Sequence, residues 1–175
     1  LKRSVLSGDI TNEQADAIRI NFKQTQGTVN ALSTLKLNTK DEAPVQINIS
    51  AIESCNRYCG AVISNVKIAP SPEWLQTALR SVGLEPINNV VDVTNYVMRE
   101  LGTPLHAFDM NAIGSEVIVR KAHPSEQLIT LDGVERKLDA EDLLIANQKE
   151  ALCLAGLMGG KASGVSNETE SIFLE

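Results

Sequence analysis

From residue 116 to its last residue the chain consists of short alternating or apolar runs separated by turn residues, and this pattern restricts the second half to a sheet-rich fold. Residues 116–121 (EVIVRK) alternate between apolar and polar side chains, as in a strand with one buried face. Asp132 and Gly133 stand between two extended runs, which is a strong hairpin signal. The other runs that predict strands here are residues 142–147, 151–156 and 171–175.

Two further strands are predicted upstream. Residues 45–50 (VQINIS) alternate, and Tyr58 to Ile68 is rich in β-branched residues. Residues 104–109 predict a loop that contains His106.

Two helices are predicted between these strands. In the first, Ser71 is expected at the N-cap and Pro72 at the first helical position, with Gly83 at the stop. Its expected apolar face comprises Trp74, Leu75, Ala78, Leu79 and Val82. The second helix has Asn88 or Asn89 as its cap and ends at Gly102. Its apolar stripe comprises Val90, Val93, Val97 and Leu101.

These elements predict an α+β fold with layered mixed or antiparallel sheets and two to three packing helices. Residues 1–43 are more polar and are interpreted as an N-terminal helical arm or linker. Residues 44–175 then form the main domain.

Composition excludes several classes of protein. The chain has 175 residues, 43% of them hydrophobic, and a net charge of −6, which disfavours a nucleic-acid binder that is basic over its whole surface. Aromatic residues make up 3%, too few for a platform that stacks single-stranded bases. No apolar run approaches the roughly 20 residues of a membrane span. With no secretory leader and only three cysteines, we expect a cytoplasmic protein without a membrane partner.

Two motifs suggest ligand chemistry but do not meet its requirements. Cys55 and Cys59 lack the second ligand pair of a structural zinc site, so we expect no bound metal. Gly159, Gly160 and Lys161 resemble the end of a phosphate-binding loop. The flanking positions of that motif carry alanine instead of the required glycine and hydroxyl residue. The glycines fit either a tight loop or backbone exposed to a ligand.

Three polar positions remain open on the residues alone. His106 is either a satisfied structural histidine or a group that positions a proton or water. Asn95 is either a helix-surface amide or part of a polar cleft. Glu175 follows an apolar strand, and its carboxylate is either solvated or directed into a site.

Residues 86–97 (PINNVVDVTNYV) and 102–109 (GTPLHAFD) closely resemble the B3/B4 region of the bacterial phenylalanyl-tRNA synthetase beta chain. The resemblance covers about residues 45–175. Its supporting segments are RYCG (57–60), SPEWL (71–75), TLDGVE (130–135), AGLMGG (155–160) and SGV (163–165).

The resemblance implies an editing module that hydrolyses tyrosine wrongly esterified to tRNA-Phe. In that family the beta chain pairs with a catalytic alpha chain as an α₂β₂ enzyme that uses ATP and Mg²⁺. The aminoacylation site lies on the alpha chain, so no cofactor is expected in this fragment.

Site residues carry over from the family one by one. Glu175 matches the glutamate that reads the phenol, and Gly159 the glycine that leaves room for the aminoacyl group. Its neighbour Gly160 is expected to bind substrate as well. His106 matches the histidine beside the ester, and Asn95 an asparagine that lines the same pocket. Water, not a covalent nucleophile, is expected to attack the ester.

In the family the domain continues beyond the position of Glu175 through a Thr-x-Ala-type segment, so we expect this chain to be truncated at its C-terminal end. Two alternatives to an editing module of the synthetase follow. The segment is a non-catalytic scaffold or docking part of the synthetase, or it is a free-standing protein that edits in trans. An end within a strand disfavours the second alternative.

Overall fold

The computed structural model describes residues 44–175, and the predicted N-terminal arm at 1–43 lies outside them. The described residues fall into two compact units. A helical unit comprises residues 69–104, and a sheet-rich unit comprises residues 44–68 and 105–175.

The sheet-rich unit contains a five-stranded mixed sheet and a three-stranded antiparallel sheet. The larger sheet has the order β1-β4-β7-β8-β9, with β1 and β4 parallel and the other pairs antiparallel. The smaller has the order β2-β10-β3, and β5 pairs with β6. The strands are β1 (Gln46–Ile49), β2 (Ala61–Ser64), β3 (Ala107–Asp109), β4 (Glu116–Lys121), β5 (Gln127–Ile129), β6 (Glu135–Lys137), β7 (Leu143–Ala146), β8 (Ala151–Leu154), β9 (Met158–Gly159) and β10 (Ser171–Leu174).

One core cluster joins the two larger sheets of this unit. Val117 and Val119, which alternate with partly exposed residues along β4, are fully buried in it. They share the cluster with Phe108 of β3 and Phe173 of β10. Burying each side chain of this size contributes about 1.5–3 kcal/mol. The cluster thus stabilises β3 and β10, the strands that lead to His106 and Glu175.

Most predicted strands are confirmed, including the hairpin at Asp132 and Gly133, where Gly133 has φ 79°. The strand predicted over 58–68 is shorter, because Asn65 adopts φ 59° and ends β2. The loop predicted over 104–109 is wrong in its second half. Its last three residues form β3 because they pair with β10.

The helices are α1 (Glu73–Arg80), α2 (Asn89–Leu101) and α3 (Met110–Ile113), of which α3 belongs to the sheet-rich unit. The first two begin near the predicted residues. Pro72 occupies the N-cap of α1, so the prediction of Ser71 as the cap is wrong. The Ser71 hydroxyl instead donates to Asp92 Oδ2 at 2.5 Å.

The cap of α2 is Asn88, whose side-chain oxygen accepts from the main-chain N–H groups of Val90 (3.1 Å) and Val91 (3.0 Å). Gly102 ends this helix, as predicted, with φ 72°, a conformation in which glycine avoids the penalty of a Cβ. The cap and the stop therefore follow directly from the sequence.

The predicted apolar stripe of α2 does not describe its buried face. Val93 is 48% exposed and Leu101 52% exposed, whereas Asp92 is fully buried. The reason is a polar network, since Asp92 accepts from Ser71 and also from the Ile87 N–H at 2.8 Å. Trp74, predicted on the apolar face of α1, is 60% exposed and contacts Tyr96 edge-on.

The α+β class with mixed and antiparallel sheets is confirmed, and the described residues form three helices. Within residues 44–175 no helix has both the length and the apolar character to cross a membrane.

Candidate functional site

His106 and Glu175 lie directly opposite each other at the end of the smaller sheet. The β3–β10 pairing places Ala107 opposite Leu174, and the ladder continues by one pair. The His106 N–H donates to the Glu175 carbonyl at 3.3 Å, and the Glu175 N–H donates to the His106 carbonyl at 2.9 Å. Directly opposed residues of an antiparallel pair project their side chains to the same face. The imidazole and the carboxylate therefore share one face of this sheet.

Gly159 lies against the imidazole of His106. A Cβ at this position would lie 2.5 Å from Cε1 and 2.9 Å from Nε2 of the ring. On its other side the ring meets Phe108 edge-on, with centroids 4.4 Å apart. The absence of a side chain at Gly159 is thus what leaves space for the imidazole in this position.

Nε2 of His106 is buried, and no hydrogen-bond partner for it is found within the described part of the chain. Burial lowers the pKa of His106, which keeps the imidazole neutral at pH 7. An unpaired buried polar atom costs about 1–3 kcal/mol and calls for a partner. A ring nitrogen of a neutral imidazole either donates or accepts a hydrogen bond, so a bound group of either kind can be its partner.

The carboxyl of Glu175 is partly buried, and burial raises its pKa. The hydroxyl of Tyr58 donates a short hydrogen bond to its Oε2. That bond acts on the pKa in the opposite direction, since it favours the ionised form. The site therefore offers a carboxylate that is partly shielded from water and is hydrogen-bonded to one phenol.

Sequence reasoning did not assign Tyr58 to the site. It was expected at the start of a strand, yet it precedes β2 and reaches Glu175 from the connection between β1 and β2. The only signal was its presence in the RYCG segment of the resemblance. The hydrogen bond between Tyr58 and Glu175 joins residues far apart in the sequence, so no local sequence pattern indicates it.

An exposed leucine borders the histidine side of the site. Leu131, 51% exposed, follows the β5 strand, and its Cδ1 would lie 2.9 Å from a Cβ at Gly159. Gly159 thus separates an apolar side chain from the imidazole. A ligand bound here would meet apolar surface next to polar groups, the usual character of a small-molecule site.

Gly160 has a structural reason of its own to be glycine. Its N–H donates to the Leu152 carbonyl at 2.8 Å, and a Cβ would collide with that oxygen. The N–H is thus occupied within the larger sheet, and substrate binding by Gly160 stays a prediction.

Asn95 lies in the middle of α2, in the helical unit, and is half-buried. The contacts of the sheet-rich unit bring together His106, Gly159 and Glu175. A place for Asn95 beside them stays a prediction.

The three cysteines have separate environments. Cys153 is buried, Cys55 half-buried and Cys59 exposed, all as free thiols. Burial, followed by the nearby Glu175 carboxylate, raises the pKa of Cys153 to about 12. No group of three or more His, Cys, Asp or Glu residues suited to a metal ion occurs among residues 44–175.

The B3/4 domain family matches residues 54–175. The chain is 51% identical over 133 residues to a phenylalanine–tRNA ligase beta subunit of Carboxydothermus hydrogenoformans, an alignment that covers 75% of this chain and 17% of the relative. It is 42% identical over 185 aligned positions to the beta subunit of Bacteroides fragilis, covering 98% of this chain and 22% of the relative. The chain thus spans about a fifth of the length of these curated relatives.

A solved structure shares the fold. It is an N-terminal fragment of the phenylalanyl-tRNA synthetase beta subunit from Pyrococcus horikoshii, with a TM-score of 0.57 and 12% identity over 80% of this chain and 45% of that chain. The resemblance seen in the asparagine-rich and histidine-containing motifs is confirmed by these matches. The chain belongs to the B3/4 domain family.

Proposed function

We propose that this chain is the editing module of the beta chain of a phenylalanyl-tRNA synthetase and that it hydrolyses tyrosine wrongly esterified to tRNA-Phe. The observation that carries the proposal is the pairing of His106 and Glu175, which places a partly buried carboxylate beside an imidazole whose Nε2 lacks a partner among the described residues. Family membership and the likeness to beta subunits of phenylalanine–tRNA ligase also support it.

The substrates explain why a second site is needed. Tyrosine is phenylalanine with one added hydroxyl, and an apolar synthetic pocket rejects such an isostere only about 10²-fold. A second site that requires the hydroxyl binds tyrosine in preference to phenylalanine. The Glu175 carboxylate would accept a charge-assisted hydrogen bond from the phenol, worth about 1.5–3 kcal/mol. Bound phenylalanine would leave that carboxylate without this partner, so the correct ester is spared.

Hydrolysis follows from the groups around the ester. The neutral imidazole of His106 accepts a hydrogen bond from water through its unprotonated nitrogen and holds that water at the carbonyl carbon. The terminal ribose hydroxyl assists in orienting the water. Attack forms a tetrahedral intermediate, and its collapse releases tyrosine and the free tRNA end. Gly159 leaves the space in which His106 and the aminoacyl group meet.

Other parts of the proposal concern the whole enzyme. Its partners are tRNA-Phe and the alpha chain of an α₂β₂ assembly, and the tyrosine moiety of mischarged tRNA is the ligand of this module. ATP and Mg²⁺ serve the aminoacylation site, which the proposal places on the alpha chain. The enzyme acts in the cytoplasm, where tRNA is charged.

The test is Glu175→Ala in the full-length beta chain within the α₂β₂ enzyme. Deacylation time courses are recorded on preformed tyrosyl- and phenylalanyl-tRNA-Phe. The preference for the tyrosyl ester should fall roughly 10- to 100-fold, because the group that binds the phenol is gone. Glu170→Ala is the matched control, since Glu170 is an exposed carboxylate just before the same strand.

Charging with phenylalanine should be the same in all three proteins, since that reaction uses another site. A wild-type enzyme that leaves tyrosyl-tRNA-Phe intact would refute the editing function. If Glu175→Ala keeps the full preference for the tyrosyl ester, a residue other than Glu175 determines specificity.

A further inference from the structure

Tyr58 is held beside Glu175 by packing as well as by its hydrogen bond. Its ring stacks nearly parallel to Phe173, with centroids 6.3 Å apart and an interplanar angle of 12°. Phe173 is 1% exposed and occupies the space that a side chain at Gly60 would need. The phenol is thus fixed against the core cluster and does not reach the carboxylate from a freely rotating position.

The hydroxyl of Tyr58 donates to Oε2 of Glu175, and among the described residues no hydrogen bond to Oε1 is found. An ionised carboxylate accepts about four hydrogen bonds over its two oxygens. We propose that Tyr58 is a positioning residue for specificity, which holds Oε2 so that Oε1 is left to accept the hydroxyl of a tyrosyl ester. This inference rests on the proposed editing function and adds a residue that determines its selectivity.

The first consequence is orientation. A glutamate side chain has three rotatable bonds, and freezing them when substrate binds costs conformational entropy. Because Tyr58 pairs with Glu175 already, that cost is met in folding and not in substrate binding. Selectivity then depends on the geometry of a prearranged acceptor.

The second consequence is charge. Burial raises the pKa of Glu175, and the Tyr58 hydrogen bond holds that pKa lower than burial alone would set it. Burial and the nearby Glu175 carboxylate raise the pKa of Tyr58, so its phenol stays protonated and remains a donor. Without it, the carboxyl takes up a proton at a higher pH. The hydrogen bond to the substrate then becomes neutral, with about half the strength of the charge-assisted one.

The other titratable groups around Glu175 do not duplicate this effect. Cys153 of β8 has its pKa raised to about 12 and stays neutral. Cys55 lies near Tyr58 and donates to the Arg57 carbonyl. His106, directly before β3, faces Glu175, and burial lowers the pKa of its imidazole. The pH dependence of substrate preference is therefore assigned to Glu175, and that of the hydrolytic rate to His106.

The experiment compares Tyr58→Phe with wild type in the full α₂β₂ enzyme. Deacylation of tyrosyl- and phenylalanyl-tRNA-Phe is measured from pH 5 to pH 8. At pH 7 the preference for the tyrosyl ester should fall roughly tenfold. The pH below which the preference declines should move upward. Cys59→Ser is the matched control, since this exposed neighbour lies in the same segment and should change neither quantity.

Three outcomes would overturn the proposal. One is an unchanged preference with an unchanged pH profile. A second is equal loss of both deacylation rates, which indicates a merely structural role for Tyr58. A third is faster hydrolysis of the tyrosyl ester, which would mean that Tyr58 competes with the substrate for Glu175. Glu175→Gln is run in parallel, and its loss of preference at every pH would keep the proposed function intact if Tyr58→Phe fails.

Discussion

His106 and Glu175 donate their main-chain N–H groups to each other's carbonyl oxygens, at 3.3 and 2.9 Å. In such a hydrogen-bonded antiparallel pair the two Cα atoms lie about 5.5 Å apart. The separation of the two candidate groups is thus set by the sheet and not by loop flexibility. Behind them, Phe108 and Phe173 form the buried wall of the site.

Gly159→Trp should abolish deacylation of both esters, because an indole would occupy the space between His106 and Leu131. Gly159→Ala should slow both by a smaller factor, since its Cβ would displace an imidazole that Phe108 confines. Leu157→Trp adds the same indole two residues away at a position that is 79% exposed and should leave both rates unchanged. Rates are measured on preformed esters. Full activity in Gly159→Trp would place the aminoacyl group elsewhere.

The hydrolysis rate should decline on the acid side as His106 takes up a proton. Because burial lowers the pKa of His106, this decline lies below pH 6.5, the ordinary value for histidine. His106→Ala should lower the rate at pH 7.5 by about 10²- to 10⁴-fold if it positions the attacking water. His123→Ala replaces an exposed histidine of the same unit and should keep the wild-type profile. A decline centred above pH 6.5 would contradict a desolvated imidazole.

Ionisation of Glu175 should weaken the fold around β10. Its pKa is raised above the ordinary 4.5, so the folded state binds the proton more tightly than the unfolded state. The associated stability is complete below pH 4.5 and is lost as the pH rises through the raised pKa.

Glu175→Gln keeps an acceptor for Tyr58 without a titrating group, so its advantage over wild type should grow from pH 4.5 to pH 7.5. The difference in local stability is measured by hydrogen exchange of the β3 and β10 amides in the full-length beta chain, corrected for intrinsic exchange rates. A constant difference across that range would show that Glu175 titrates normally.

Asp92→Ala should loosen the helical unit. The change leaves the Ser71 hydroxyl and the Ile87 N–H without their acceptor, and each lost bond to a charged group costs about 1.5–3 kcal/mol. Asn88→Ala, which removes only the cap of α2, should cost about 1 kcal/mol. Hydrogen exchange of the α2 amides measures how much each of the two variants destabilises the helix. A smaller effect for Asp92→Ala than for Asn88→Ala would contradict the network.

Features that depend on neighbouring residues were predictable from the sequence. The alternation in residues 116–121 identified β4, and Asp132 and Gly133 identified the hairpin. Gly102 was placed correctly because a left-handed residue at a helix end favours glycine. The family motifs gave His106, Gly159 and Glu175 as site residues, although they did not state how these meet in space.

Features that depend on long-range pairing required the tertiary structure. Ser71 has the residue type of a cap, yet its hydroxyl bonds to Asp92 of the next helix. Val93 follows helical periodicity, yet it is exposed while the neighbouring carboxylate is buried. Periodicity records where apolar residues recur, but it does not register a buried polar network that is satisfied by partners from elsewhere in the chain.

The sequence by itself therefore determined most of the elements and the fold class, because propensity, caps and turns are local, and the family resemblance supplied three candidate site residues. Only the tertiary structure decided that the main chains of His106 and Glu175 are paired. It also decided that Gly159 leaves room for the imidazole of His106 and that the Tyr58 hydroxyl is hydrogen-bonded to the Glu175 carboxylate. These relations arise from strand register and core packing, in which each residue's partner is fixed by the whole unit and not by its neighbours in the chain.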